Sequence, residues 1–145
     1  VEIVDGAPWQ KVSADLYFPC ATQNEVSKDD ATHMVKHAVA IIEGANMPLT
    51  ADAQKTVMKA DVFYGPSKAA NAGGVSVSGL EMSQNAIHTS WTAGEVDAKL
   101  RTIMKKIHAQ CVAYGSDDSK KIDYVRGANI AGGVRVLEAM KHLGW

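Results

Sequence analysis

Three short apolar runs punctuate the first half of the chain, and a glycine or proline closely follows each of them. They span residues 15–18, 39–42 and 62–64. Runs of four or so residues that are rich in Val, Ile, Tyr and Phe and end at turn-forming residues are typical of strands. We therefore predict three buried parallel strands.

The two intervals between these runs have the apolar spacing of amphipathic helices. Ser27 is a candidate N-cap for the first helix, with Asp29 and Asp30 in its first turn, and Thr50 is a candidate for the second. The positions predicted to pack are Ala31, Met34, Val35 and Ala38 in the first helix and Ala53, Val57 and Met58 in the second. Alternating strands and helices over residues 15–65 predict an α/β protein containing half of a doubly wound, nucleotide-binding parallel sheet.

From Pro66 onward the pattern is helical. One helix is predicted from near Gly73 to about Ser90, a second from a capping box at Thr92 and Glu95 to Gly115, and a third from about Tyr124. A polar loop is expected at residues 116–121. The predicted stripes are Val75, Ser78, Met82 and Ala86; then Val96, Leu100, Ile103, Met104, Ile107 and Cys111; and finally Ile130, Val134, Leu137 and Met140.

The charge distribution argues against two classes of partner. The 15 basic and 16 acidic residues are interspersed and leave a net charge of -1, so neither nucleic acid nor a membrane surface is an expected partner. No stretch has the roughly 18 apolar residues of a membrane span, and the first residues lack a signal-peptide pattern. Cys20 and Cys111 lack CxxC spacing, which favours free thiols and a cytoplasmic location.

Small and amide residues follow each predicted strand. These clusters are residues 20–24, 44–46 and 68–74. Because ligands bind beyond the carboxyl ends of the strands in open α/β sheets, all three should face one crevice. Asparagine suits a carboxamide or a ribose hydroxyl, and glycine allows close approach of the backbone, although both also form ordinary turns.

Other candidate sites are weaker. His33 and His37 are one helical turn apart but lack a third metal ligand nearby, which favours a solvated helix face. Residues 127–133 are glycine-rich but lack the ending of a phosphate loop, so helix contact or capping is the favoured role. Cys111 lies on an apolar stripe and is expected to fill core space.

Four sequence strings resemble motifs of the glutamate dehydrogenases in order and spacing. They are PCATQNE (19–25), EGANMP (43–48), PSKAANAGGVSVSGLEMSQN (66–85) and GANIAGG (127–133). The resemblance runs from Pro8 to Trp145 and is to the microbial, short-chain, hexameric branch, whereas leucine and phenylalanine dehydrogenases match less well. It departs at Gly133, where the family usually has a bulky aromatic residue, which calls the packing of the last helix into question.

The resemblance implies an organisation and an activity. Residues 1–70 would form the second half of a Rossmann-like cofactor domain, residues 71–92 a pivot helix, and residues 93–145 helices that return toward a substrate domain. The parent would be a homohexamer that interconverts L-glutamate and 2-oxoglutarate plus ammonia, with NAD or NADP as cofactor.

The resemblance also implies site residues. Ala21 and Thr22 would border the ribose and pyrophosphate path, with Asn24 nearby, while Asn46 and Asn71 would lie beside the nicotinamide and the substrate. Val75 and Ser78 would line the glutamate pocket, where Ser78 would hold the distal carboxylate. From the residues alone, the Ser78 hydroxyl could instead bond back to the carbonyl of Gly74.

The family's glycine-rich turn, its catalytic lysine and aspartate, and the residue that reads the ribose 2′ position all precede the matching segment. We therefore expect no catalytic residue in this chain and no turnover by the chain alone. The alternative hypothesis is a non-catalytic homologue that acts as a binding or assembly module on full-length subunits.

Overall fold

The computed structural model describes residues 3–6, 8–117 and 121–145. Within these ranges a 3₁₀ turn, Pro8–Gln10, precedes the regular elements. These are β1 (Leu16–Tyr17), α1 (Lys28–Met34), β2 (Ala40–Ile42), α2 (Ala51–Lys59), β3 (Phe63–Gly65), α3 (Ser67–Ala70), α4 (Ala72–Ala86), α5 (Ala93–Gly115) and α6 (Tyr124–His142). The chain divides into two compact units, Val1–Asn71 and Ala72–Trp145.

The first unit contains a parallel sheet in the order β1-β2-β3, with Tyr17 beside Ile41 and Ile41 beside Tyr64. The predicted α/β class and parallel strands are confirmed. The prediction that the strands are buried holds fully for one face, where these three side chains are buried; on the other face Ala40 is buried, but Leu16 and Phe63 are 54% and 44% exposed. Successive side chains of a strand point to opposite faces, which explains the difference.

The caps of α1 and α2 are confirmed. The Ser27 hydroxyl accepts a hydrogen bond from the Asp30 N–H, and the Thr50 hydroxyl accepts one from the Ala53 N–H. Both helices have core positions: Ala31, Met34, Ala53 and Val57 are buried. However, α1 ends at Met34, so Val35 and Ala38 lie beyond it, and the predicted packing of Met58 is wrong because this side chain is 41% exposed.

In the second unit, the predicted capping box of α5 is confirmed by the Thr92 and Glu95 contacts. Cys111 on this helix is buried, as expected for a core residue. The last helix differs from expectation, since its buried residues are Gly127 and Ala128 while Leu137 is 64% exposed. A Cβ at Gly127 would overlap the backbone of Cys111, so α6 approaches α5 through its small residues rather than its apolar stripe.

Two further sequence expectations concern boundaries. Helix α4 ends at Ala86, four residues before the predicted end, and His88 then adopts a left-handed conformation with φ of 51°. Of the predicted polar loop at 116–121, residues 118–120 lie outside the described ranges. Within those ranges, none of the helices has both the length and the apolar character needed to span a bilayer.

Candidate functional site

The loops that follow β1 and β2 are joined by backbone hydrogen bonds at the carboxyl edge of the sheet. The amides of Gly44 and Ala45 both donate to the Pro19 carbonyl at 2.9 Å, and the Asn24 amide donates to the Met47 carbonyl at 3.0 Å. The two predicted clusters after these strands therefore form one continuous edge, as expected for the ends of neighbouring parallel strands.

Helix α3 holds the same edge from the third strand. The Met47 amide donates to the Ser67 hydroxyl at 3.4 Å, and the Asn71 side-chain amide donates to the Ala45 carbonyl at 3.3 Å. Asn46 lies between the two residues that these bonds anchor, and its own side chain is exposed. A surface amide is thus presented on a backbone that is fixed on both sides.

A buried carboxylate lies behind this edge. Glu43 is only 3% exposed, and its two oxygens have different partners: Oε1 accepts from the Tyr64 hydroxyl at 2.8 Å, and Oε2 accepts from the Ser67 amide at 2.6 Å. The side chain of Gln54 also donates to the Tyr64 hydroxyl, at 3.2 Å. Burial raises the pKa of Tyr64, and the neighbouring Glu43 raises it further, so the phenol stays protonated and remains a donor.

The predicted cofactor contacts lie at this edge. Ala21, Thr22 and Asn24 are exposed in the loop after β1, where the Ala21 amide donates to Glu25 Oε1 at 3.0 Å. Asn24 adopts a left-handed conformation with φ of 56°. The structure therefore brings these three residues together with Asn46 and Asn71, all within the first unit.

The predicted substrate contacts lie on α4 in the second unit. Val75 is 72% exposed, and Ser78 is exposed as well. The Ser78 hydroxyl donates to the Gly74 carbonyl at 3.3 Å, which is the local bond given above as the alternative partner. Because the side chain is exposed, the hydroxyl oxygen remains accessible to a ligand.

Gly44 lies against the loop after β1. A Cβ at this position would overlap the sulfur of the exposed Cys20 side chain and would make an ordinary contact with the Pro19 carbonyl. The sequence left open whether this glycine allows close approach of a ligand or forms an ordinary turn. The neighbour found is the adjacent loop after β1.

A metal site has no support in the described part of the chain. The His33 and His37 rings lie 5.2 Å apart, but the described residues contain no group of three His, Cys, Asp or Glu side chains placed to hold an ion.

Sequence reasoning missed Glu43, Tyr64 and Ser67 as a connected group. One signal was available: Glu43 directly follows a buried apolar run, and a charged residue at such a position needs a partner. Its partners are 21 and 24 residues further along the chain, so spacing could not identify them.

Known proteins match this chain over nearly its whole length. The family model for glutamate/leucine/phenylalanine/valine dehydrogenases matches residues 1–144. The NADP-specific glutamate dehydrogenase of Haemophilus influenzae and the NAD-specific glutamate dehydrogenase of Bacteroides fragilis are each 52% identical over 92% of this chain. The solved glutamate dehydrogenase of Plasmodium falciparum superposes with a TM-score of 0.88 and 46% identity over 95% of the chain.

The chain spans 30% of the length of each of these three relatives. Within that span, the parallel sheet, the linked loops at its carboxyl edge and the following helices all belong to the matched region. The chain is a member of the glutamate/leucine/phenylalanine/valine dehydrogenase family.

Proposed function

We propose that this chain is the part of a glutamate dehydrogenase that completes its cofactor domain and carries the terminal helices. The complete enzyme would interconvert L-glutamate and 2-oxoglutarate plus ammonia, with NAD or NADP as cofactor, and would assemble as a homohexamer. The proposal is supported by the identity to glutamate dehydrogenases and by the site geometry together.

The single observation that carries the proposal is the arrangement around Asn46. Its side chain is exposed and makes no hydrogen bond to another described residue, while its neighbours Ala45 and Met47 are both anchored to α3. Because the backbone on both sides of Asn46 is anchored, a ligand that binds this amide has to order the side chain alone, which lowers the entropy lost on binding.

The chemistry of this edge suits a dinucleotide. Asn46 and Asn71 offer amide donors and acceptors for a carboxamide, and the exposed Thr22 hydroxyl and Asn24 side chain offer polar contacts for ribose and phosphate. When bound, the nicotinamide ring supplies the hydride acceptor or donor. The residues of this edge would bind and orient it.

The substrate contacts would come from α4. Ser78 would donate its hydroxyl hydrogen bond to the distal carboxylate of glutamate or 2-oxoglutarate, and Val75 would contact the aliphatic part of the substrate. The substrate's carboxylate would replace the 3.3 Å bond to Gly74 as the acceptor. A charged acceptor makes the stronger hydrogen bond, so the exchange is favourable.

The two relatives with different cofactor names bear on specificity. Both are equally similar to this chain, at 52% identity, yet one is NADP-specific and the other NAD-specific. This supports the proposal that the choice between the two dinucleotides is made outside the matching segment.

The Asn46→Ala substitution in the complete enzyme tests the cofactor edge. Loss of one or two hydrogen bonds should raise the dinucleotide KM about tenfold, while the melting temperature should hardly change. Asn85→Ala, at an exposed asparagine near the end of α4, is the matched control and should leave all constants unchanged. Wild-type levels of dinucleotide binding in the Asn46 variant would contradict this assignment.

A further inference from the structure

We propose that Glu43 is a positioning residue for the dinucleotide, because its buried carboxylate fixes α3, which Asn71 caps, and, through α3, the loop that presents Asn46. The inference rests on the proposed function for its ligand. Glu43 itself would contact no ligand.

Glu43 is hydrogen-bonded to the start of α3. Glu43 Oε2 accepts from the Ser67 amide at 2.6 Å, the shorter of the two bonds to this carboxylate. Ser67 is the first residue of α3, and Pro66 before it makes no side-chain cap hydrogen bond. A carboxylate bonded to an amide at the first turn of a helix satisfies a donor that the helix itself cannot.

Helix α3 in turn makes two hydrogen bonds with the loop after β2. Ser67, which Glu43 holds through its amide, uses its hydroxyl to accept from the Met47 amide at 3.4 Å. Asn71, the C-cap of the same short helix, donates to the Ala45 carbonyl at 3.3 Å. Both ends of α3 therefore fix the loop, and Asn46 lies between the two points.

The loop after β2 contains a residue with a strained backbone, Met47. Met47 has φ of 51°, a left-handed conformation that costs about 1 kcal/mol or more for a residue with a side chain. Its amide is bonded to Ser67, and its carbonyl accepts from the Asn24 amide at 3.0 Å. A strained residue persists when its surroundings constrain it on several sides, so loosening α3 should allow this loop to relax.

The second bond of Glu43 provides a control within the same group. Tyr64 donates to Oε1, and its other hydrogen-bond partner, Gln54, lies on α2 rather than on α3 or the loop after β2. Removing the Tyr64 hydroxyl disturbs the same buried carboxylate but leaves its bond to Ser67 in place. If Glu43 were purely structural, removal of its carboxylate and removal of the Tyr64 hydroxyl should affect the dinucleotide KM similarly. If Glu43 is a positioning residue, only removal of its carboxylate should raise this KM.

The test compares Glu43→Ala, Glu43→Gln, Ser67→Ala and Tyr64→Phe. In the complete enzyme, Glu43→Ala should raise the dinucleotide KM at least about tenfold and change the glutamate KM less than about threefold. Glu43→Gln, which keeps an acceptor for the Ser67 amide, should restore most of the binding.

Ser67→Ala should raise the dinucleotide KM by a smaller factor than Glu43→Ala does. The double variant should raise this KM by less than the product of the two single effects. Tyr64→Phe should lower the melting temperature and leave the dinucleotide KM unchanged.

Hydrogen exchange in the complete enzyme gives a readout that does not depend on activity. The Asn24 and Met47 amides should exchange about tenfold faster in Glu43→Ala but not in Tyr64→Phe, with the Cys111 amide of α5 as an internal reference. If the unaltered enzyme fails to bind a dinucleotide, the proposed function falls, while these exchange rates still decide whether Glu43 fixes the loop.

Equal effects of Glu43→Ala and Tyr64→Phe on dinucleotide KM and loop exchange would overturn the inference. If Glu43→Ala does not fold, the comparison of Ser67→Ala with Tyr64→Phe still tests the contact between α3 and the loop, through which Glu43 acts. Unchanged loop exchange and dinucleotide KM in Ser67→Ala would then be the contrary result.

Discussion

At the scale of single residues, two serines on α4 make the same local bond and are expected to differ in function. Ser78 donates to the Gly74 carbonyl at 3.3 Å and Ser83 donates to the Gly79 carbonyl at 2.9 Å, and both side chains are exposed. Their local energetics are therefore alike. A difference between their alanine variants would report on a ligand rather than on the helix.

We predict that Ser78→Ala in the complete enzyme raises the Michaelis constants for glutamate and 2-oxoglutarate by about ten- to hundredfold. A hydrogen bond to a charged group contributes about 1.5 to 3 kcal/mol, which corresponds to this range. Dinucleotide affinity should hardly change. Steady-state kinetics on Ser78→Ala and Ser83→Ala decide the matter, and similar constants for the two variants would make the role of Ser78 structural.

A second prediction at this scale concerns Asp30, which is 7% exposed. Burial alone would raise the pKa of Asp30, but hydrogen bonds from the Ser27 hydroxyl and amide and from Gln10 outweigh it and hold the pKa below its ordinary value of 3.8. A lowered pKa means that ionised Asp30 stabilises the fold above about pH 4, and that this contribution is lost as the pH falls through the lowered value.

Asp30→Asn should therefore lower the free energy of unfolding by about 1 kcal/mol at neutral pH, with a difference from wild type that shrinks below about pH 4. Urea unfolding at several pH values measures it. Glu95→Gln, in the exposed capping box of α5, is the control and should have a smaller effect. A pH-independent difference for Asp30→Asn would contradict the role assigned to its ionised form.

At the scale of elements, the contact between α5 and α6 depends on a glycine. A Cβ at Gly127 would overlap the Cys111 carbonyl oxygen and backbone, which cannot move aside as a flexible side chain could. Gly133 is the opposite case: α6 continues through it, and a Cβ there would meet no other described atom within 4 Å. The departure from the family pattern at Gly133 therefore does not interrupt this helix.

We predict that Gly127→Ala lowers the free energy of unfolding by about 2 to 3 kcal/mol, because the two helices must separate to admit the methyl group. Gly133→Ala should instead raise it by up to about 1 kcal/mol through helix propensity. Thermal or denaturant unfolding of both variants measures the contrast. Equal destabilisation by the two substitutions would show that the close helix contact is not what requires Gly127.

The elements that could be predicted from sequence are those whose signals are local. Ser27, Thr50 and Thr92 cap helices through residues three positions away, and all three caps form as predicted. What the sequence could not provide depends on distant partners. The bonds of Glu43 to Tyr64 and Ser67, and the buried face of α6 at Gly127, follow from the way elements pack, which local spacing does not encode.

At the scale of the whole chain, the sheet has two open edges among the described residues, since β1 and β3 each pair only with β2. Large apolar side chains are also exposed on the terminal helix, including Leu137 at 64% and Leu143 at 78%. Unpaired strand edges and exposed apolar surface favour association. We predict that the isolated chain self-associates, and sedimentation that shows a stable monomer at high concentration would count against this.

Exchange of this segment between relatives tests where cofactor choice is made. The chain would replace the matching segment in the NADP-specific enzyme of Haemophilus influenzae and in the NAD-specific enzyme of Bacteroides fragilis, each 52% identical to it. We predict that each chimera keeps the dinucleotide preference of its host, measured as the ratio of kcat/KM for the two cofactors. A common preference in both chimeras would place the selectivity within this chain.

The same chimeras provide the most direct measurement of the central claim, that this chain completes the cofactor domain of a glutamate dehydrogenase. The measurement is glutamate-dependent reduction of NAD or NADP by the folded chimeras and by the isolated chain. We predict turnover by both chimeras, a decrease of about tenfold on Asn46→Ala at subsaturating dinucleotide, and no turnover by the chain alone. Chimeras that fold and assemble as their hosts do but show no glutamate-dependent reduction would contradict it.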